Sequence, residues 1–313
     1  MALAASPGQT VAADEYPGKP IRFIAPIAPG GLTDTLTRIF GQQLSKKLGQ
    51  PVVVENRPGA AGIIGMEAAA KSAPDGYTIV MVYQGAVSVN PLLYKNLPYD
   101  PLRDFVPVAQ VASFPMVLVV NSDLPVKSLR EFIQLAQAKP GSMNYGSAGN
   151  ATTSHLTMEL FKRRAGIDLM HVPYKGEAPA NTDLMGGRVS ALFSTLSAAL
   201  PHIRSGRVRA LGLASKERSK LMPDLPTISE AGIPDFEVMG WLGVLAPVGT
   251  PKPIVDRLNR EFIAIANEPD TRARLAAQSV DSGGTSSEAF GKWIRDETER
   301  WRKVITDADI KAD

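Results

Sequence analysis

Short apolar runs and helically spaced apolar stripes alternate along most of the chain. Residues 21–25 are apolar apart from Arg22 and read as a strand, followed by a Pro/Gly loop over residues 26–31. Leu36, Ile39, Phe40, Gln43, Leu44 and Leu48 then recur at helical spacing, with Gly49 where a helix-ending residue belongs. Val52, Val53 and Val54 predict a second strand, its β-branched run expected where both faces are buried. Residues 60–71 read as a helix, Pro74-Asp75-Gly76 as a turn and residues 78–83 as a third strand. The order βαβαβ predicts a parallel sheet with right-handed crossovers.

The same grammar restarts downstream. Residues 116–120 read as a strand, and Ser128 with Glu131 forms a capping box before a stripe of Leu129, Phe132, Leu135 and Ala136. Strands are expected at residues 143–145, 169–172, 189–193 and 208–214, and helices at 152–164, 178–185 and 198–205. The C-terminal stretch is helical over 253–267 and 270–278. A second capping box, Thr285 with Glu288, then opens a long amphipathic helix to about Ile310.

Residues 105–113 and 236–246 fit no βα repeat; they read as two extended strands passing between domains. The expected fold is therefore α/β in two domains, each a βα sheet flanked by helices, joined as a flytrap clamp. Domain one takes residues 15–107 and 246–313, and domain two residues 108–245. Residues 1–14, small and apolar at the start, read either as a signal-peptide remnant or as a flexible leader.

Composition narrows the function. The 313 residues suffice for two cores, and the 44% hydrophobic and 21% charged content is that of a folded chain. No apolar run reaches the roughly 20 residues that cross a bilayer. Net charge is only +3, and the basic cluster Lys162-Arg163-Arg164 sits at a helix C-terminus, where cations complement the dipole. Nucleic acid is not an expected partner. The chain has no cysteine, so it has no disulfide, thiolate metal site or thiol nucleophile.

Two loops suit an anion. Residues 28–34 follow the first strand, and residues 146–152 take the equivalent place in domain two. Each lies at the carboxyl end of a strand and the start of a helix, where amides lack intrahelical partners and the dipole is positive. Thr33, Ser147 and Thr152 add hydroxyl donors. Each loop alone is equally a well-made βα turn, with Asp34 or Thr152 capping a helix; two in matching positions point to a site. A third glycine-rich turn, residues 59–65, has the spacing G-x-x-G-x-x-G rather than a dinucleotide fingerprint and reads as close helix packing.

Catalytic signatures are missing. His155, His171 and His202 are scattered and form no zinc motif, and Tyr145-Gly146-Ser147-Ala148-Gly149 fails the nucleophile elbow at its first position. His155 is placed near Ser147 without an orienting acid. No cofactor or metal is called for.

At these residues the chain resembles the Bug family, the extracytoplasmic receptors of tripartite tricarboxylate transporters. The resemblance runs from Tyr16 over nearly the whole chain. It rests on Pro29-Gly30-Gly31 with Asp34 and Arg38, on Val54-Glu55-Asn56-Arg57-Pro58-Gly59, and on Asp75-Gly76-Tyr77-Thr78. In domain two it rests on Tyr145-Gly146-Ser147-Ala148-Gly149 with His155, and on Val172-Pro173-Tyr174-Lys175-Gly176. It implies a monomeric periplasmic solute-binding protein of the Venus flytrap kind that passes organic acids to membrane permease subunits, and not an enzyme.

By that resemblance one ligand carboxylate is gripped by Ala28, Pro29, Gly30 and Gly31 and by Ser147, Ala148 and Gly149. The far end is read by Gln84, Gly85, Asn150, Thr152, Lys175, Gly176, Ser194 and Thr195. The family often carries Asp where this chain has Ser194, which implies a ligand without an amino group. Gln84 implies a dicarboxylate or hydroxy-acid; Phe193, Tyr174 and Trp241 leave an aromatic acid open. A sensory receptor, or an enzyme on the same clamp, are the alternative functions.

Overall fold

The computed structural model describes residues 16–307 and Ile310; the leader expected at residues 1–14 lies outside them. The first βαβαβ unit comprises β1 (Ile21–Ala25), α1 (Leu32–Leu48), β2 (Val52–Asn56), α2 (Ile63–Ala70) and β3 (Thr78–Tyr83). Its three strands are parallel in the order β2-β1-β3. A π turn, Gly85–Val89, and α3 (Asn90–Leu93) lead to β4 (Phe105–Asn121). Then come α4 (Leu129–Ala138), β5 (Asn144–Ser147), α5 (Thr153–Ala165), β6 (Met170–Pro173), α6 (Glu177–Met185) and β7 (Ala191–Thr195). Here β6-β5-β7 repeats the same parallel order. The chain continues through α7 (Leu196–Arg204), β8 (Val208–Leu213), β9 (Met239–Pro247), α8 (Lys252–Asn267), α9 (Pro269–Ala276), β10 (Asp281–Ser282) and α10 (Ser287–Asp307).

β4 joins the two lobes. Its first part, Phe105 to Pro115, runs antiparallel to β9, which in turn pairs with β3. Its last part pairs with β7 and β8 of the second lobe. The two strands expected at 105–113 and 116–120 are thus one strand of 17 residues. Pro115 interrupts nothing because it falls where the ladder with β9 ends, so its missing N–H costs no pairing.

Other departures have local causes. β2 is the edge of its sheet, so it is only half buried and Val53 is exposed, contrary to the double burial read from its valines. The helix expected from residue 60 begins at Ile63, because Ala60 and Ala61 adopt positive φ. The second capping box shifts by one residue: Ser286 Oγ accepts from the Ala289 amide. Thr285 is held to β4 instead, its Oγ1 accepting from the Gln110 amide and its own amide donating to the Gln110 carbonyl. The first box holds at Ser128, whose hydroxyl accepts from the Glu131 amide, while the Glu131 carboxylate takes the Lys127 amide.

The cores follow the stripes. In the first lobe Phe40 of α1 and Phe23 of β1 meet Phe262 of α8, so the C-terminal helices cover the first sheet. On the other side Trp241 packs edge-on against Phe290 of α10. In the second lobe Phe161, Phe193 and Phe236 form one aromatic cluster. α10 also reaches the second lobe, where Asp307 pairs with Arg163 at 2.7 Å.

Candidate functional site

In both lobes the first strand of the βαβαβ unit lies between the other two. The connections leaving β1 and β3, and those leaving β5 and β7, therefore diverge to opposite sides of the sheet and leave a crevice at the strands' carboxyl ends. The loop before α1 and the loop before α5 both stand at such a point.

The first loop is exposed from Ala28 to Gly31. Gly30 needs its glycine, with φ at 96°. Its amide donates to Asp34 Oδ2 at 3.0 Å, and Asn56 Nδ2 donates to Asp34 Oδ1 at 2.8 Å while Arg38 Nε donates to Oδ2. Burial alone raises the Asp34 carboxyl; the Gly30 amide, the Arg38 guanidinium and the Asn56 amide outweigh it and hold it below the ordinary aspartate range. Asp34 thus locks the loop rather than only capping α1. The third glycine-rich turn packs beneath: a Cβ on Gly65 would stand 2.6 Å from Pro26 Cβ, so α2 can sit this close only with glycine there.

The second loop is closed by its own side chains. Ser147 is buried; its Oγ donates to the Gly149 carbonyl and accepts from the Gly149 amide. Ser154 Oγ takes the Ala148 amide at 2.9 Å, and Thr152 Oγ1 donates to the Gly149 carbonyl at 2.7 Å. The Ala148 and Gly149 amides, expected to face a ligand, are spent inside the loop. Among the described residues the amides of Gly31 and Asn150 donate no hydrogen bond. Those two positions, with the first turns of α1 and α5, are what the loops offer an anion.

His171, not His155, lies on Ser147: its Nε2 is 2.7 Å from Ser147 Oγ. His155 stacks on His171 with ring centroids 3.9 Å apart, and its Nδ1 accepts from the Ala151 amide at 3.1 Å. Ala151 has φ at 59°, so this bond holds a strained corner. Register explains the missed contact. Tyr145 pairs with His171 across β5 and β6, and Ser147, two residues on, shares the face of Tyr145. Ser147 is fully buried, which does not present its hydroxyl as a nucleophile.

Burial, then His171 and Lys162, push His155 down to about 3 from its ordinary 6.5. The unfolded chain therefore takes a proton below about pH 6.5 that folded His155 refuses. The stability this contributes is whole above that pH and is lost as pH falls toward about 3, by about 1.4 kcal/mol per pH unit. Urea midpoints between pH 4 and 7 check this: His155→Asn, which keeps an acceptor for Ala151, should flatten the slope. An unchanged slope would refute it.

The remaining expected positions divide. Gly85 opens the π turn and lies against the second lobe, where a Cβ on it would come within 3.4 Å of the Ala151 carbonyl oxygen. Gln84 is buried, with its Nε2 donating to Glu297 of α10 at 2.6 Å and its Oε1 without a partner. Lys175 is exposed. Phe193 and Trp241 are buried in the cores, and Tyr174 donates to Asp183. Ser194 and Thr195 both bind Glu177, a residue the sequence reading passed over. Ser194 Oγ donates to Glu177 Oε1 at 2.7 Å, Thr195 Oγ1 donates to Oε2 at 3.1 Å, and the Thr195 amide also donates to Oε1. Among the described residues no group of three or more His, Asp or Glu side chains is placed to hold a metal.

The chain is similar to known proteins in sequence and fold. Residues 36–310 match the family model of the tripartite tricarboxylate transporter family receptor. BugT of Bordetella pertussis is 40% identical over 302 residues, covering 96% of this chain and 93% of that protein. A protein of R. palustris solved with adipate superposes with a TM-score of 0.88 at 36% identity, covering 95% of this chain and 99% of that one. MatC of Rhodopseudomonas palustris, solved with bound malate, gives 0.82 at 33% identity, covering 93% and 100%. Family and fold are those of substrate-binding proteins, and the chain belongs to the tripartite tricarboxylate transporter family receptors, the Bug proteins.

Proposed function

We propose that this protein captures a small organic carboxylate between its lobes in the periplasm and delivers it, chemically unchanged, to the permease subunits of a tripartite tricarboxylate transporter. The observation that carries this reading is the pair of βα loops, one per lobe, each at the crevice of a parallel sheet. The approach of Gly85 to Ala151 brings the lobes together beside them. Ala28, Pro29, Gly30 and Gly31 on one side and Ser147, Ala148, Gly149, Asn150 and Thr152 on the other surround one carboxylate. Ser194, Thr195 and Lys175 lie toward its far end. Residues 15–107 with 246–313, and residues 108–245, close about the paired strands β4 and β9. The adipate and malate of the structural neighbours support a carboxylate ligand.

Thermal unfolding against dicarboxylates, hydroxy-acids, amino acids and aromatic carboxylates tests the reading. A ligand held only by the folded state adds about 2.7 kcal/mol at ~100 times its dissociation constant. We expect one small chemical class to raise the midpoint, with unaltered ligand recovered. No shift with any carboxylate would overturn the site.

A further inference from the structure

The sequence contains no acid at position 194, but the fold brings one there. Glu177, in the first turn of α6, lays its carboxylate over the end of β7 and binds Ser194 and Thr195. Asn181, one turn along α6, is buried. Its Nδ2 donates to the Glu177 carbonyl at 3.1 Å and to Ser194 Oγ at 3.3 Å. The carbonyl bond fixes the amide's orientation, and Asn181 Oδ1 is then a buried acceptor with no donor. On Glu177, Oε1 accepts two bonds while Oε2 accepts only that of Thr195 Oγ1, and the residue is half-buried rather than sealed. A carboxylate oxygen that accepts a single bond and a buried amide oxygen without a donor thus belong to the two side chains bonded to Ser194. The cluster thus holds more acceptor capacity than its own donors fill, and a further donor would complete it.

The place is adjacent to the carboxylate grip. β5 and β7 are neighbouring parallel strands with Gly146 paired to Leu192, so Ser147 is level with Phe193, one residue before Ser194. The segment that carries Glu177 is bonded to that loop directly: the Tyr174 amide donates to the Ser147 carbonyl and the Gly176 amide to the Ala148 carbonyl, each at 3.0 Å.

We infer that Glu177 selects the far end of the ligand: a carboxylate whose distal group is a hydrogen-bond donor, an ammonium or a hydroxyl, in preference to a second carboxylate. This rests on the carboxylate-binding reading above and deepens it. It also reverses the expectation drawn from Ser194 alone, because the acid missing from that position is supplied by α6. Burial is the largest influence on the Glu177 carboxyl and raises it above the ordinary glutamate range, although Ser194 and Thr195 pull it down. A donor on the ligand supplies stabilisation that the protein's own groups leave incomplete.

The test compares 4-aminobutyrate, 5-aminovalerate and 4-hydroxybutyrate with succinate, glutarate and adipate by calorimetry, on the wild type, Glu177→Gln and Ser147→Ala. The wild type is expected to favour a donor-ended acid over the dicarboxylate of matching length by about tenfold or more. Glu177→Gln should abolish or invert that ratio, and Ser147→Ala, which frees the loop that Ser147 Oγ closes on Gly149, should weaken both classes together and keep it. A wild type that binds dicarboxylates as well as donor-ended acids, that binds no donor-ended acid, or whose ratio survives Glu177→Gln overturns the selector. Full affinity in Ser147→Ala is the separate failure of the carboxylate grip.

Discussion

Gly31→Val is expected to weaken ligand binding by at least about tenfold while leaving the unliganded protein as stable as the wild type. The asymmetry follows from backbone and space. Gly31 is the residue before α1, with φ at −83° and ψ at 173°, an extended conformation that valine adopts freely. A Cβ there meets no atom within 4 Å, so the fold has room for the side chain. The room it fills is the open side of the loop, where the amides of α1's first turn would meet an anion. Neighbouring Gly30 offers no such variant, since its φ of 96° would strain any substitute. Calorimetry with the best ligand of the panel, beside a urea titration of the free protein, checks both halves. Wild-type affinity in the variant would remove this loop from the site; lost stability would show that the loop is packed rather than open.

Glu297→Ala should destabilise the fold by ~3 kcal/mol or more, a loss of the size measured when buried hydrogen-bond partners are orphaned. Glu297 is 4% exposed. Its Oε2 accepts from Gln84 Nε2 at 2.6 Å, Trp301 Nε1 at 3.0 Å and Trp241 Nε1 at 3.4 Å. One carboxylate thereby ties α10 to the end of β3 and to β9. Alanine would strand these buried donors and open a cavity beside two indoles. Glu297→Gln keeps the volume and one acceptor and should lose less. Because Gln84 directly precedes Gly85, the alanine variant should also loosen the turn that meets Ala151. A shift in urea stability below about 1 kcal/mol would show that this network is not a structural tie.

Much of this protein was legible in its sequence because local forces write it locally. Apolar periodicity placed β1, α1, β3, α5 and α8 to within a residue or so, since the stripe that marks each element is the face it buries. Ser128 announced its helix because a hydroxyl caps an amide only three residues away. The two glycine-rich βα loops were legible for the same reason: glycines and small hydroxyls between a strand and a helix describe a helix N-terminus wherever they occur. The resemblance to the Bug receptors, carried by short motifs in a fixed order, supplied the clamp.

What the sequence left open depended on partners far along the chain. Valines in β2 look the same at an edge as at a centre, and only the strand order exposes Val53. Whether Thr285 or Ser286 caps α10 was decided by Gln110, some 175 residues away. Gln84 reads as a ligand contact, and only the fold shows its Nε2 bonded to Glu297, 213 residues on. His171 reached Ser147 through strand register rather than spacing along the chain. At position 194 composition showed a serine, and packing delivered the Glu177 carboxylate to it. The sequence by itself determined the secondary structure, the repeated βα units and the loops that can face an anion, because propensity, periodicity and helix ends act over a few residues. The tertiary structure alone decided which donors those loops keep for themselves and which acid stands beside Ser194, because hydrogen bonds and burial are settled only when distant segments meet.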